Sequence, residues 1–247
     1  LIKNLNIKNV DDKMNKILSF CEQDRSIGCQ PGVITKALQQ FAEAKGLFYP
    51  VDFASSGSSQ IGGNIATNAG GIKVIRYGLT RNWVSGLRVI TGNGELLDLN
   101  KGLIKNATGY DFLNLFIGSE GTLGFITEAT IKLTEQPPPQ KVALISLNQK
   151  KCLLSLLNGC KSLRHLSAFE FFTDKSLQFV LEDQRLKSPF SKEAPFYVLL
   201  EFDSTKENEA LLFNILQNYL SEQWVSDAII SESTDQAKNL WKLREGI

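Results

Sequence analysis

With 247 residues, 43% of them hydrophobic and 21% charged, the chain has the composition of a globular protein with room for two cores. A formal net charge of +1 leaves no electrostatic footprint for nucleic acid or an anionic membrane surface. No apolar run reaches membrane-spanning length, and Cys21, Cys29, Cys152 and Cys160 form no C-x-x-C pair, so reduced core thiols are expected over a zinc site or a disulfide framework.

In chain order, residues 1–25 are polar and amphipathic. Met14, Ile17, Leu18 and Cys21 have helical spacing, and the stretch equally suits a strand and turn. Gln30-Pro31-Gly32 reads as a turn. Residues 33–45 predict a helix with Ile34, Leu38, Phe41 and Ala42 on one face and Gly46 as its stop. Residues 51–71 follow with five glycines among small polar residues. Ile61, Ile65 and Ala66 lie between the glycines, which predicts a partly buried segment whose backbone closely approaches a ligand. Residues 83–100 read as a hairpin turning at Asn93-Gly94. Residues 123–133 alternate and are rich in β-branched types, as in a strand.

Pro137-Pro138-Pro139 denies the backbone ladder donors, so the linker is expected there, dividing residues 1–136 from 140–247. Beyond it the pattern is strand–helix–strand, twice: strand 142–147, helix 150–163, strand 168–172, then strand 196–202, helix 206–220, strand 226–231. This predicts one antiparallel sheet covered by helices on one face, a ferredoxin-like arrangement. Ser233 with Gln236 suits a capping box, opening a last helix with Leu240, Trp241 and Leu243 inward.

Neither a P-loop nor a G-x-G-x-x-G fingerprint is present. Instead Ile61-Gly-Gly-Asn-Ile-Ala-Thr-Asn-Ala-Gly-Gly71, Arg76-Tyr77-Gly78, Thr108-Gly109-Tyr110-Asp111 and Phe116-Ile-Gly-Ser-Glu-Gly-Thr-Leu-Gly124 occur in this order. The series resembles the FAD-binding domain of the vanillyl-alcohol-oxidase (PCMH) type of flavoproteins. Within them it looks most like the D-2-hydroxyacid dehydrogenases that act on lactate, glycolate or 2-hydroxyglutarate. Ser167-Ala-Phe-Glu-Phe171 and Leu240-Trp-Lys-Leu-Arg-Glu245 resemble the substrate, or cap, domain of that family.

The resemblance implies an α+β protein: a PCMH-type FAD-binding domain, incomplete at its N-terminus, followed by a ferredoxin-like substrate domain. It implies FAD as cofactor, a small 2-hydroxy acid as substrate, and a quinone, a cytochrome or an electron-transfer flavoprotein as electron acceptor. Pro50, Gly57, Ser58, Ser59, Gly62, Gly63, Asn64, Thr67 and Asn68 would line flavin and pyrophosphate. Gly121, Thr122, Gly124 and Ile126 would border the ribityl or adenosine end, with Arg76 and Tyr77 near the flavin. Arg244 would reach the substrate carboxylate, its alternative being an ion pair with Glu245 or Glu232. The only histidine, His165, matches no motif and reads as a helix-end surface residue, while Trp83, Trp224 and Trp241 read as core or interface.

Two departures qualify the match. The glycine-rich pyrophosphate loop of the family does not occur before Gly57, and its His-rich segment, which supplies metal ligands or the acid/base group in several members, does not follow Glu245. With no Met at position 1 and no signal peptide, the chain reads as the middle of a longer cytoplasmic protein, or one peripheral to the inner membrane. Taken alone, it is expected to hold FAD weakly and not to turn over, with no metal site. The competing expectations are another reaction on the same scaffold, of the UDP-N-acetylenolpyruvoylglucosamine reductase or alkyl-glycerone-phosphate synthase kind, and a flavin-free remnant acting as an interaction module.

Overall fold

The computed structural model describes residues 13–100, 103 and 105–247. The first part of the 1–25 segment therefore lies outside the described residues. The chain divides into two compact units, Leu1–Gln136 and Pro137–Ile247.

The first unit is built on a five-stranded antiparallel sheet in the order β1-β2-β6-β4-β5. Its strands are β1 (Ile17–Cys21), β2 (Ser26–Cys29), β4 (Val84–Thr91), β5 (Leu96–Leu99) and β6 (Gly124–Lys132), and a two-stranded ribbon pairs β3 (Leu47–Phe48) with β7 (Thr134–Glu135). Of the two readings for residues 14–25, strand and turn is the one adopted, with Phe20 opposite Ile27. Helix α1 is shorter than expected, Thr35–Ala44. Val33 and Ile34 are held as extended chain instead: the Val33 carbonyl accepts from Ile61 N–H, and Ile34 bridges to Gln60. Gly46 ends the helix at φ +71. The β4–β5 hairpin pairs Ile90 with Leu96 and turns at Gly94, φ +84.

Three short helices lie between these elements: α2 (Ile61–Ala66), α3 (Val74–Tyr77) and α4 (Phe112–Phe116). Ile27, Cys29, Leu87, Val89, Ile126, Ala129 and Ile131 on one sheet face form a buried core with Leu38, Ala42, Ile61, Ile65 and Phe116. The opposite face carries Arg88, paired with Glu128 at 2.7 Å, and the cross-strand row Leu96–Ile90–Phe125, all well exposed.

In the second unit β8 (Gln140–Leu147), β9 (Ala168–Thr173), β10 (Phe196–Asp203) and β11 (Val225–Ile230) form an antiparallel sheet in the order β11-β8-β10-β9. That is the strand order of a ferredoxin-like unit. Helices α5 (Cys152–Cys160) and α7 (Lys206–Ser221) close one face over Ala143, Ile145, Leu147, Val198, Leu200 and Phe202.

One expectation fails: helices cover both faces. The segment between β9 and β10 carries α6 (Asp174–Asp183), and it packs with the last helix, α8 (Thr234–Glu245), on the other side. This explains why β8 is buried from Val142 to Leu147 without alternation. Thr173, Thr205 and Ser233 cap α6, α7 and α8, each side chain accepting from the N–H three residues on. The capping box at Ser233 is shifted: Gln236 reaches back to the Glu232 N–H rather than to that of Ser233.

The four cysteines are free, and burial pushes the Cys29 and Cys160 thiols up to about 12. Trp241 is buried, Trp83 packs against the first core, and Trp224 stacks on Tyr219. His165 is more than a surface residue: its Nδ1 lies 2.7 Å from Oδ2 of buried Asp203.

Candidate functional site

In the first unit the two glycine segments meet. Helix α2 ends with carbonyls that have no partner within the helix, as every helix does. The second segment supplies the donors: Gly118 N–H bonds Ile65 O at 3.0 Å, and Glu120 N–H bonds Ala66 O at 2.8 Å. Arg81 ties the junction from the side, its backbone N–H donating to Asn68 Oδ1 and its Nη2 to the Ile117 carbonyl. Asp111 caps α4 nearby, and the hydrogen bonds from Asn114 hold its carboxyl below the usual carboxylate range, with Arg81 adding to the effect.

Between the two segments lies a cavity of about 170 Å³. Five of the residues expected from the sequence line it: Gly62, Gly63, Gly121, Gly124 and Ile126. Pro31, Ala66, Ser119 and Phe125 complete the wall and were not anticipated. Pro31 was legible only as part of a turn, since nothing in a turn tripeptide tells which helix it will touch.

The glycines are not equivalent. A Cβ on Gly62 would stand 2.5 Å from the Pro31 Cβ, and one on Gly124 would stand 2.7 Å from the Ile90 carbonyl, so both are needed for packing. A Cβ on Gly63 or on Gly121 would meet no atom within 4 Å. Gly121 also has φ +76. Among the described residues the Gly62 N–H is taken by Pro31 O, whereas no carbonyl accepts from Gly63 or Gly121. Two bare, unspent N–H groups on opposite walls suit a phosphate oxygen or a flavin carbonyl. The volume is below that of a whole-ligand pocket, so it fits one portion of FAD.

The other expected residues do not line this cavity. The Asn64 side chain is buried and donates to Thr35 Oγ1, which also bonds the Ser59 hydroxyl at 2.8 Å. Asn68, at φ +47, is occupied by Arg81. Thr67 donates to the Gly63 carbonyl, Thr122 to that of Ser119, and Ser58 to that of Ser55. Pro50 is buried, and Gly57 is exposed with open space at its Cβ position. Tyr77 packs edge-on between Phe48 and Trp83, with the Arg76 guanidinium over its ring.

In the second unit, β9 and α8 bring the two remaining motifs together. Arg244 is paired with neither Glu245 nor Glu232. Its Nη2 and Nε both reach Oε2 of Glu170, at 2.7 and 2.9 Å. Glu232 pairs instead with Lys141. One turn earlier on the same helix, Trp241 Nε1 donates to Oε2 of buried Glu201 at 2.9 Å. Glu170 was not anticipated as the partner of Arg244, since a lone carboxylate in Ala-Phe-Glu-Phe-Phe-Thr does not tell which cation it meets.

Residues 9–100 match the family described as FAD binding domain, and residues 136–247 match FAD linked oxidases, C-terminal domain. D-2-hydroxyglutarate dehydrogenase of Stutzerimonas stutzeri (strain A1501) is 55% identical over 237 residues, covering 96% of this chain and 51% of that protein. The mitochondrial D-2-hydroxyglutarate dehydrogenase of Arabidopsis thaliana is 39% identical over 240 residues, covering 95% of this chain and 43% of that protein. The chain thus spans about half the length of the curated relatives it matches. Among solved structures, alkyldihydroxyacetonephosphate synthase superposes with a TM-score of 0.71 at 19% identity, over 94% of this chain and 46% of that one. p-Cresol methylhydroxylase with substrate bound gives 0.67 at 13% identity, over 94% and 50%. At these identities the structural likeness shows the fold alone. No described helix is long and apolar enough to cross a membrane. The chain belongs to the FAD-linked oxidases, carrying their FAD binding domain followed by their C-terminal domain.

Proposed function

We propose that the protein containing this chain oxidises D-2-hydroxyglutarate to the 2-oxo acid, with residues 1–136 serving FAD and residues 140–247 serving the substrate. The observation that carries the substrate is 55% identity, running through both units, to a protein named for that reaction. It favours 2-hydroxyglutarate over lactate or glycolate. FAD, when bound, supplies a two-electron acceptor for the α-hydrogen of the acid.

The residues of the chain then divide the work. Gly63 and Gly121 let the backbone approach the cofactor and offer it N–H donors. Gly62, Gly124, Asn64 and Asn68 keep the two walls in place. Arg244 binds a substrate carboxylate, for which the planar guanidinium is suited. A quinone, a cytochrome or an electron-transfer flavoprotein takes the electrons onward, and the cytoplasm is the setting.

The test is the visible spectrum of the purified full gene product containing these residues, recorded without air. D-2-hydroxyglutarate is expected to bleach the flavin bands, with D-lactate and glycolate leaving them. Bleaching by lactate or glycolate alone would replace the substrate. No bleaching by any of the three would remove the reaction.

A further inference from the structure

Glu170 stands where an apolar residue would be expected. It lies in the middle of β9, directly across from buried Leu199 of β10. Its side chain is 22% exposed and that of Arg244 is 30% exposed, so the pair is largely withdrawn from water. A charge so placed is costly unless matched, and Arg244 matches it through two hydrogens on one carboxylate oxygen.

The geometry has a direction. Glu170 takes the Nε and one Nη2 hydrogen, which is one edge of the guanidinium plane. Nη1 has no partner among the described residues. The nearby carboxylate of Glu201 is given to Trp241, and those of Glu232 and Glu209 to Lys141. One anion therefore fixes the arginine along one edge while Nη1, on the other, is left without a partner among the described residues.

We propose that Glu170 is a positioning residue for Arg244: it orders the guanidinium in advance, so that the substrate carboxylate is met by the Nη1 edge. This rests on the reading of Arg244 given above. A free arginine has several rotatable bonds to freeze when it binds an anion, and Glu170 has already frozen them in the folded protein.

The proposal makes a signed prediction, because Glu170 has two opposite effects on an incoming dianion. Its charge repels the substrate, and its grip on Arg244 helps it. Removing the charge alone would tighten binding. Removing the grip would loosen it.

The experiment is steady-state kinetics of the FAD-loaded full gene product on D-2-hydroxyglutarate, for wild type, Glu170→Gln, Glu170→Asp and Arg244→Lys. A second readout, independent of turnover, is the arginine Nε–H resonance identified by its disappearance in Arg244→Lys. Glu170→Gln is expected to raise KM about tenfold with kcat changed less than about threefold. The flavin spectrum should stay unchanged and the Nε–H signal should exchange faster. Glu170→Asp, which keeps the charge, should recover part of the loss.

A KM that falls or stays constant in Glu170→Gln, while Arg244→Lys raises it, overturns the positioning role and leaves Arg244 as the carboxylate site. A KM untouched by Arg244→Lys removes the reading of Arg244 and the proposal with it. Should Glu170→Gln fail to fold, the wild-type signal decides: a rapidly exchanging Nε–H overturns the proposal, and a protected one supports it.

Discussion

The two units solve the covering of a sheet differently. In the second, helices of 9 to 16 residues lie on both faces, and the central strand β8 is buried without alternation from Val142 to Leu147. In the first, one sheet face rests on the longer helix α1 and the two short helices α2 and α4, and the other presents charges and an apolar row. Short helices contribute little stability of their own. What they provide is backbone: ends, turns and glycines brought into one place. The regular unit holds a side chain, Arg244. The irregular unit holds a surface made largely of main chain.

The largest effect that would sharpen this contrast is expected in the regular unit. Phe202 is fully buried between β10 and the α5–α7 layer. Phe202→Ala should lower the stability of that unit by about 3–5 kcal/mol in urea titrations. In the irregular unit two adjacent glycines should part company. Gly62→Ala pushes a methyl into Pro31 and is expected to cost about 1–3 kcal/mol. Gly63→Ala meets nothing and should gain about 0.5–1 kcal/mol as a helical alanine, while weakening FAD retention. Equal losses of stability for both would break the distinction between packing glycines and cofactor-facing glycines.

Two buried thiols, Cys29 in the first core and Cys160 in the second, are raised from 9.0 to about 12. The folded state holds these protons more tightly than the unfolded chain does. Stability is therefore complete below pH 9 and declines between pH 9 and 12, by about 1.4 kcal/mol per pH unit for each thiol. Alkaline unfolding followed by circular dichroism should show a shallower decline in Cys29→Ala for the first unit and in Cys160→Ala for the second. A small effect is expected from Ser233→Ala, which removes the cap of α8 and should cost about 1 kcal/mol by thermal denaturation.

The same contrast governs what could be read from the chain. Periodicity of 3.6 or 2 needs several turns or residues to show itself, and the second unit has them. Its strands and its helices α5, α7 and α8 were legible, as was the inward set Leu240, Trp241 and Leu243. Helix α6 lies outside the two strand–helix–strand repeats, although its buried Leu177, Val180 and Leu181 carry helical spacing. Helices α2, α3 and α4 escaped because four to six residues carry no period. Site legibility ran the other way. Glycine spacing marked the segments that form the cavity, yet only space around each position separated Gly63 and Gly121 from Gly62 and Gly124. Pairings across long sequence distance, Arg244 with Glu170 and Asn64 with Thr35, carry no local signal.

His165 has a practical consequence. It is the chain's only histidine, and its ring is clamped to a carboxylate that is buried only when β10 is in place. Its imidazole protons give a single line each in a proton spectrum, with no assignment problem within these residues. That line is a resident reporter for the second unit: its shift in the native protein and its change on denaturation would follow that unit alone, since the first unit has no imidazole.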